Sequence, residues 1–205
     1  TTSANITQLG SVTWTGGPAG NWSVASNWAG NALPDAQNVA NVIIPASSVV
    51  SFDSSVLPTT LGSIASSGGL AIAGGSLAVN ASLTTQTYQQ TGGTLSGTGS
   101  LTVTNGFNQT GGAIALTGAA PVNITQTTGN AHVASLSNVG GTVSITAHGG
   151  IVDENGAAVN LVANTINLAS INGGLPGGLA ISIDTAAAAS LSATVAPGAS
   201  YGGIS

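Results

Sequence analysis

The chain has 205 residues, 5 of them acidic and none Lys or Arg, for a formal net charge of -5. Without a basic residue there is no surface to meet DNA or RNA and no clamp for phosphate, so nucleic-acid binding is all but excluded. Cysteine and methionine are absent too, which removes disulfides, thiolate nucleophiles and cysteine-based metal sites.

No apolar run is long enough to span a membrane, and no segment has the form of a signal peptide, so neither membrane insertion nor an export address is expected. The apolar content is Ala, Val, Leu and Ile with few aromatics, a composition suited to a thin core of stacked aliphatic residues. Gly, Ser, Thr, Val and Asn dominate, and all are mediocre or poor helix formers.

Residues 1–13 are polar, with isolated apolar residues at Ile6, Leu9 and Val12. They read as an extended arm, either unpaired or added as a strand to a neighbour's sheet. Residues 14–60 read as an N-terminal cap and first rungs. All three tryptophans, Trp14, Trp22 and Trp28, fall in one short stretch of it. Each buried Trp removes about 150–250 Å² from water, so the cluster reads as a packed plug in preference to a sugar-stacking platform.

Residues 61–185 read as a solenoid. The phrase Tyr88-Gln89-Gln90-Thr91-Gly92-Gly93 returns as Phe107-Asn108-Gln109-Thr110-Gly111-Gly112 and, weakened, as Ile124-Thr125-Gln126-Thr127-Thr128-Gly129. The second step between copies is slightly shorter than the first, while the pairs Leu101/Val103, Val122/Ile124 and Val143/Ile145 recur at strictly even spacing. A repeat near this length cannot bury its face alone and must stack on its neighbours. The fold expected is therefore an all-β, right-handed parallel β-helix with about 18–21 residues per rung and nine or ten rungs. A β-sandwich would not reuse one phrase at every turn. Copies stacked about 4.8 Å apart would set Gln90, Gln109 and Gln126 in an amide ladder. Gly-Gly pairs mark the corners, and the four alanines at 186–189 are the one stretch able to make a helical turn.

Residues 186–205 read as a C-terminal rung with an open end, since no charged or amphipathic capping element follows. Solenoid ends need a polar cap, and open strand edges recruit further strands. Head-to-tail self-assembly is therefore expected, through Ile6, Leu9, Val12, Trp14, Trp22 and Trp28 at one end and Val195, Tyr201 and Ile204 at the other.

The order of Trp14, Gly16, Gly17, Asn21, Trp22, Asn27, Trp28 and Pro34, followed by Val42 and Ile44 in a short strand, resembles the opening of autotransporter and filamentous-haemagglutinin-like surface proteins of Gram-negative bacteria. The segment 150–161, with Ile166-Asn167-Leu168, is similar to phrases in large repetitive adhesins of the same kind. The resemblance covers about a third of the chain. It implies a right-handed parallel β-helix displayed at a cell surface. No translocator barrel, secretion domain or long passenger accompanies these segments.

Catalysis by a β-helix needs clustered carboxylates, often with a basic residue or Ca²⁺. The acids are Asp35, Asp53, Asp153, Glu154 and Asp184, with His132 and His148 as the only titratable partners. On a strand Asp153 and Glu154 point to opposite faces; in a loop they read as a solvated corner, with weak Ca²⁺ binding as the lesser reading. His132 and His148, a little less than one rung apart, read as stacked in adjacent coils or exposed, since two histidines make no metal site without a third ligand. Sequons begin at Asn5, Asn21, Asn80, Asn108 and Asn123. The reading is a non-enzymatic extracellular structural subunit that polymerises into a filament of the bacterial surface or biofilm matrix, with no cofactor. The alternative is an adhesin fragment binding glycans or a host surface.

Overall fold

The computed structural model describes residues 9–35, 39–172 and 181–196. Among the described residues seventeen strands follow one another in chain order. They are β1 (Val12–Thr13), β2 (Ala19–Asn21), β3 (Asn41–Ile44), β4 (Val49–Phe52), β5 (Thr59–Ser66), β6 (Gly69–Ile72), β7 (Ser76–Gln90), β8 (Thr94–Gly97) and β9 (Ser100–Gln109). They continue with β10 (Ala113–Thr117), β11 (Val122–Gln126), β12 (Ala131–Val133), β13 (Leu136–Ala147), β14 (Ile151–Asp153), β15 (Leu161–Ser170), β16 (Ile181–Ser182) and β17 (Thr185–Val195).

Every pairing between these strands is parallel and joins one coil to the next, so the strands stack into three ladders, sheets A, B and C, around one core. In sheet A the inward column runs Val12, Val42, Ile64, Leu83, Leu101, Val122, Val143, Ile166, Leu191, each in register with the next. Sheet B stacks Val50, Leu70, Tyr88 and Phe107, then Ala131, Ile151 and Ile181. Sheet C stacks Thr59, Leu77, Leu95, Ile114, Leu136, Leu161 and Thr185. This is the β-solenoid expected, of about seven turns, which are the coils between Val42 and Leu191.

The cause is the period-two pattern within each short strand, which turns alternate side chains inward. Leu101, Val103, Val122, Ile124, Val143 and Ile145 are all essentially buried, and burial of each such side chain stabilises by about 1.5–3 kcal/mol. The repeated Thr-Gly-Gly makes the corner between sheets B and C. There Gly93 has φ +65 and an added Cβ would lie 2.5 Å from the backbone of Gly74 in the coil before, so the glycines stack where no side chain fits.

Three expectations need adjusting. The ladder begins at Val12 and Thr13, which pair with Val42 and Ile43 of their own chain, and Leu9 bridges Val39, so the described part of the arm is not free. The coils keep the expected length only through the run Ile64, Leu83, Leu101, Val122 and Val143; those from Val143 to Ile166 and from Ile166 to Leu191 are longer. With these longer coils the described residues make about seven turns, where nine or ten rungs were expected of the whole chain. The alanines at 186–189 lie within strand β17, where their backbone joins the ladder.

Candidate functional site

The repeated glutamine phrase lands in two different sheets. Gln90 and Gln109 end β7 and β9, one directly above the other in sheet B, and both are wholly buried. Gln109 donates from Nε2 to Oε1 of Gln90 (3.3 Å) and to the Ser135 carbonyl (2.7 Å). Its Oε1 accepts from the backbone N–H groups of Ala134 (3.3 Å) and Ser135 (3.1 Å). Gln90 in turn donates to the carbonyls of Gly92, Gly93 and Ala113, and accepts from the Tyr88 hydroxyl at 3.0 Å. A buried amide is tolerable only when its donors and acceptors are used in this way. Burial pushes the Tyr88 phenol far above its ordinary range, so it stays a donor.

Gln126 does not join them. It ends β11 in sheet A, opposite Ala147. Its Oε1 accepts from the Phe107 backbone N–H at 2.5 Å and its Nε2 donates to the Thr128 carbonyl at 2.6 Å. In sheet B the partner of Asn108 in the next coil is His132, well past Gln126. The step from Gln109 to Gln126 therefore falls one side of the solenoid short.

Asp35 and Asp53 lie at the first coils, whereas Asp153, Glu154, Asp184 and the two histidines lie around the later ones. Oε1 of Glu154 meets Nδ1 of His132 at 2.5 Å on the outside of sheet B. Asp153 turns elsewhere: its Oδ1 accepts from Nδ2 of Asn160 (2.9 Å) and from the N–H groups of Asn155 (2.7 Å) and Gly156 (3.0 Å). The Asn160 hydrogen bond above all, with those two N–H groups, holds the Asp153 carboxyl below its ordinary value against the opposing effect of burial. Among the described residues no three His, Asp or Glu side chains converge to hold a metal ion, and the two acids take separate protein partners. His148, read as either stacked on His132 or exposed, follows β13 in sheet A, is exposed and accepts at Nε2 from Asn172 (2.8 Å).

Two buried asparagines went unread in the sequence. Asn160 donates to the Val133 carbonyl and accepts from the Asp184 N–H (both 2.8 Å), tying three coils together. Asn138 donates to the carbonyls of Ala120 and Thr142 across the bulge in β13. Period two from Leu136 would have turned Asn138 inward, and that was the available signal.

The two ends differ. At the first, Trp14, Trp22 and Trp28 are buried (2%, 0% and 1% exposed). Trp28 meets both other rings edge-on at 5.0 and 4.9 Å, and Trp22 meets Phe52 at 5.4 Å. Their indole N–H groups donate to the carbonyls of Gly17, Pro34 and Trp22, and an antiparallel bridge joins Trp14 to Trp28. The tryptophans thus form a plug inside their own chain and offer no ring to a partner. Of the other expected contacts at this end, Val12 is buried, Leu9 is exposed and Ile6 lies outside the described residues.

At the second end β17 pairs with β15, and among the described residues no strand pairs with its outer edge. Leu191 is 42% exposed, whereas Ile166 and Val143 beneath it in the same column are 0%. Val195 is half-buried; Tyr201 and Ile204 lie outside the described residues. Of the sequons, Asn21, Asn80 and Asn123 are exposed, Asn108 is half-buried and Asn5 lies outside the described residues.

No helix among the described residues is long and apolar enough to cross a membrane. No family model matches the chain, and no curated protein or solved structure shows significant similarity to it.

Proposed function

We propose that the chain is an extracellular structural subunit whose solenoid stacks end to end on further copies, forming a filament of the bacterial surface or biofilm matrix. The observation that carries this reading is the outer edge of β17: a strand of 11 residues, unpaired on that side among the described residues, with an inward-facing Leu191 left part-exposed. An open edge of this kind accepts another strand through main-chain hydrogen bonds. A contact between unlike ends does not close on itself and grows an open fibre. A chain without Lys or Arg also has no positive charge to guard that edge. The extracellular setting rests on the resemblance to bacterial surface proteins and on the absence of any site for trypsin-like proteases. Sedimentation of the purified chain from dilute to concentrated solution, followed by electron microscopy, tests it. Filaments are expected; a monomer at every concentration overturns the reading.

The second reading, an adhesin segment that binds glycans, is favoured by one feature, a groove on the flank of sheet B.

A further inference from the structure

Sheet B is continuous from β4 through β6 and β7 to β9, but β9 and β12 share only the pair Asn108 and His132. Where the ladder is interrupted, residues 128–130 stand out as a wall beside the sheet. A groove of about 480 Å³ results, running across five coils from Val49 to His132. Both sides of the break are fixed by side chains. The Phe107 N–H is taken up by Gln126, and Oδ1 of Asn130 accepts from the Gly150 N–H at 2.8 Å.

Along the groove Gln89, Asn108 and His132 occupy successive outward positions of one column. Thr87 flanks them, and Val49, 43% exposed, supplies an apolar patch. Oδ1 of Asn108 is shut off from solvent yet meets no donor among the described residues. A buried acceptor without a donor is costly and rare in a settled fold, and such violations concentrate at functional sites. Rotation of this amide would turn the acceptor into the groove, where a ligand hydroxyl or N–H would satisfy it.

We infer that this groove binds a neutral oligosaccharide lying along the solenoid axis, with hydroxyl or acetamido groups on Gln89, Asn108 and His132 and the apolar face of a ring on Val49. The inference deepens the adhesin reading and does not depend on polymerisation. The chemistry selects this class. No Lys or Arg is present to hold an anionic glycan, and the one carboxylate beside the groove, Glu154, is already paired with His132. A peptide strand would need an open sheet edge, whereas most of the floor is the face of the paired strands β4, β6, β7 and β9, and at the break the Phe107 N–H is already taken by Gln126.

The test is titration of dilute chain, shown monomeric by sedimentation, with chitohexaose and cellohexaose, and with an oligogalacturonate of similar length as the anionic probe. Saturable binding of a neutral hexasaccharide is expected, weakened at least tenfold in Asn108→Ala and in His132→Ala. Asn167→Ala, on the outside of sheet A, should leave it unchanged. Binding that survives both groove substitutions overturns the groove while leaving the adhesin reading in place. Binding of the oligogalacturonate alone overturns the assignment of a neutral ligand. No binding of any of the three overturns both the groove and the adhesin reading.

Discussion

The rings of Tyr88 and Phe107 lie one above the other in successive coils, centroids 5.6 Å apart and planes within 8°, and the Tyr88 hydroxyl donates to Oε1 of Gln90. Aromatic stacking and the buried glutamine pair are thus one assembly, apolar at one end and polar at the other. Tyr88→Phe keeps the stack and removes one donor, and should cost about 1 kcal/mol. Gln109→Leu leaves the Ala134 and Ser135 N–H groups without their partner, while the Ser135 carbonyl keeps the Ile114 N–H. At roughly 1–3 kcal/mol for each buried group left unsatisfied, it should cost at least ~2 kcal/mol. Denaturant unfolding of the two variants checks the order; equal losses would remove the polar network from the account.

The corner glycines give a sharper contrast. Gly93 and Gly118 both have positive φ, at +65 and +105, so an alanine at either suffers the same kind of backbone strain. They differ in space: a Cβ at Gly93 would lie 2.5 Å from the Gly74 backbone, whereas at Gly118 nothing stands within 4 Å. Gly118→Ala should therefore cost about 1–2 kcal/mol. Gly93→Ala should add the displacement of a neighbouring coil and abolish folding or lower the melting temperature far more. Thermal unfolding of both, followed by far-ultraviolet circular dichroism, decides it.

That contrast also explains what could be read from the sequence. The even recurrence of Leu101, Val122 and Val143 reports the coil itself, because inward apolar positions must coincide from coil to coil; these residues do stack in register. The Gln-Thr-Gly phrase reports something more local. Gln90 and Gln126, though not Gln109, each donate to the carbonyl two positions on, Gly92 and Thr128, so in those two copies the glutamine serves the corner that follows it, whichever corner that is. Reading it as a rank placed Gln126 one sheet away from its true position. Asn160 was hidden for the opposite reason. Unlike Asn138 it lies ahead of its strand, where no period-two pattern marks it as inward, and two of the carbonyls it serves, Val133 and Ala134, lie a full coil earlier in the chain.

Asp153 supplies a pH dependence with a definite sign. Its folded-state value is depressed, first by the Asn160 side chain and then by the N–H groups of Asn155 and Gly156. The unfolded chain therefore binds the proton more readily. The associated stability is present above the ordinary aspartate value of about 3.9 and is lost as pH falls through the lower folded value. Asp53, held down in the same sense by Ser55, adds to it. The chain should be less stable at about pH 2.5 than at about pH 6, and Asp153→Asn should flatten that difference. Urea midpoints across the range give the result; a variant as acid-sensitive as the parent chain would remove Asp153 as the cause.

Leu191 offers the most direct trial of end-to-end stacking. It occupies the last described position of the sheet A column, above Ile166, and is part-exposed because no coil among the described residues covers it. Leu191→Lys sets a charge at the edge where another coil would dock, a device natural sheets use to block edge pairing. Because the site is already 42% exposed, the substitution should disturb the folded coil little. Val139 is a fair control: it is 58% exposed and lies in β13, which has β10 and β15 paired on either side, so Val139→Lys makes the same change of charge away from both ends. If coils stack end to end, Leu191→Lys should sediment as a monomer under conditions where the parent chain and Val139→Lys form filaments. Equal assembly of all three would show that β17 is not the growing edge, and loss of assembly in both variants would assign the effect to net charge.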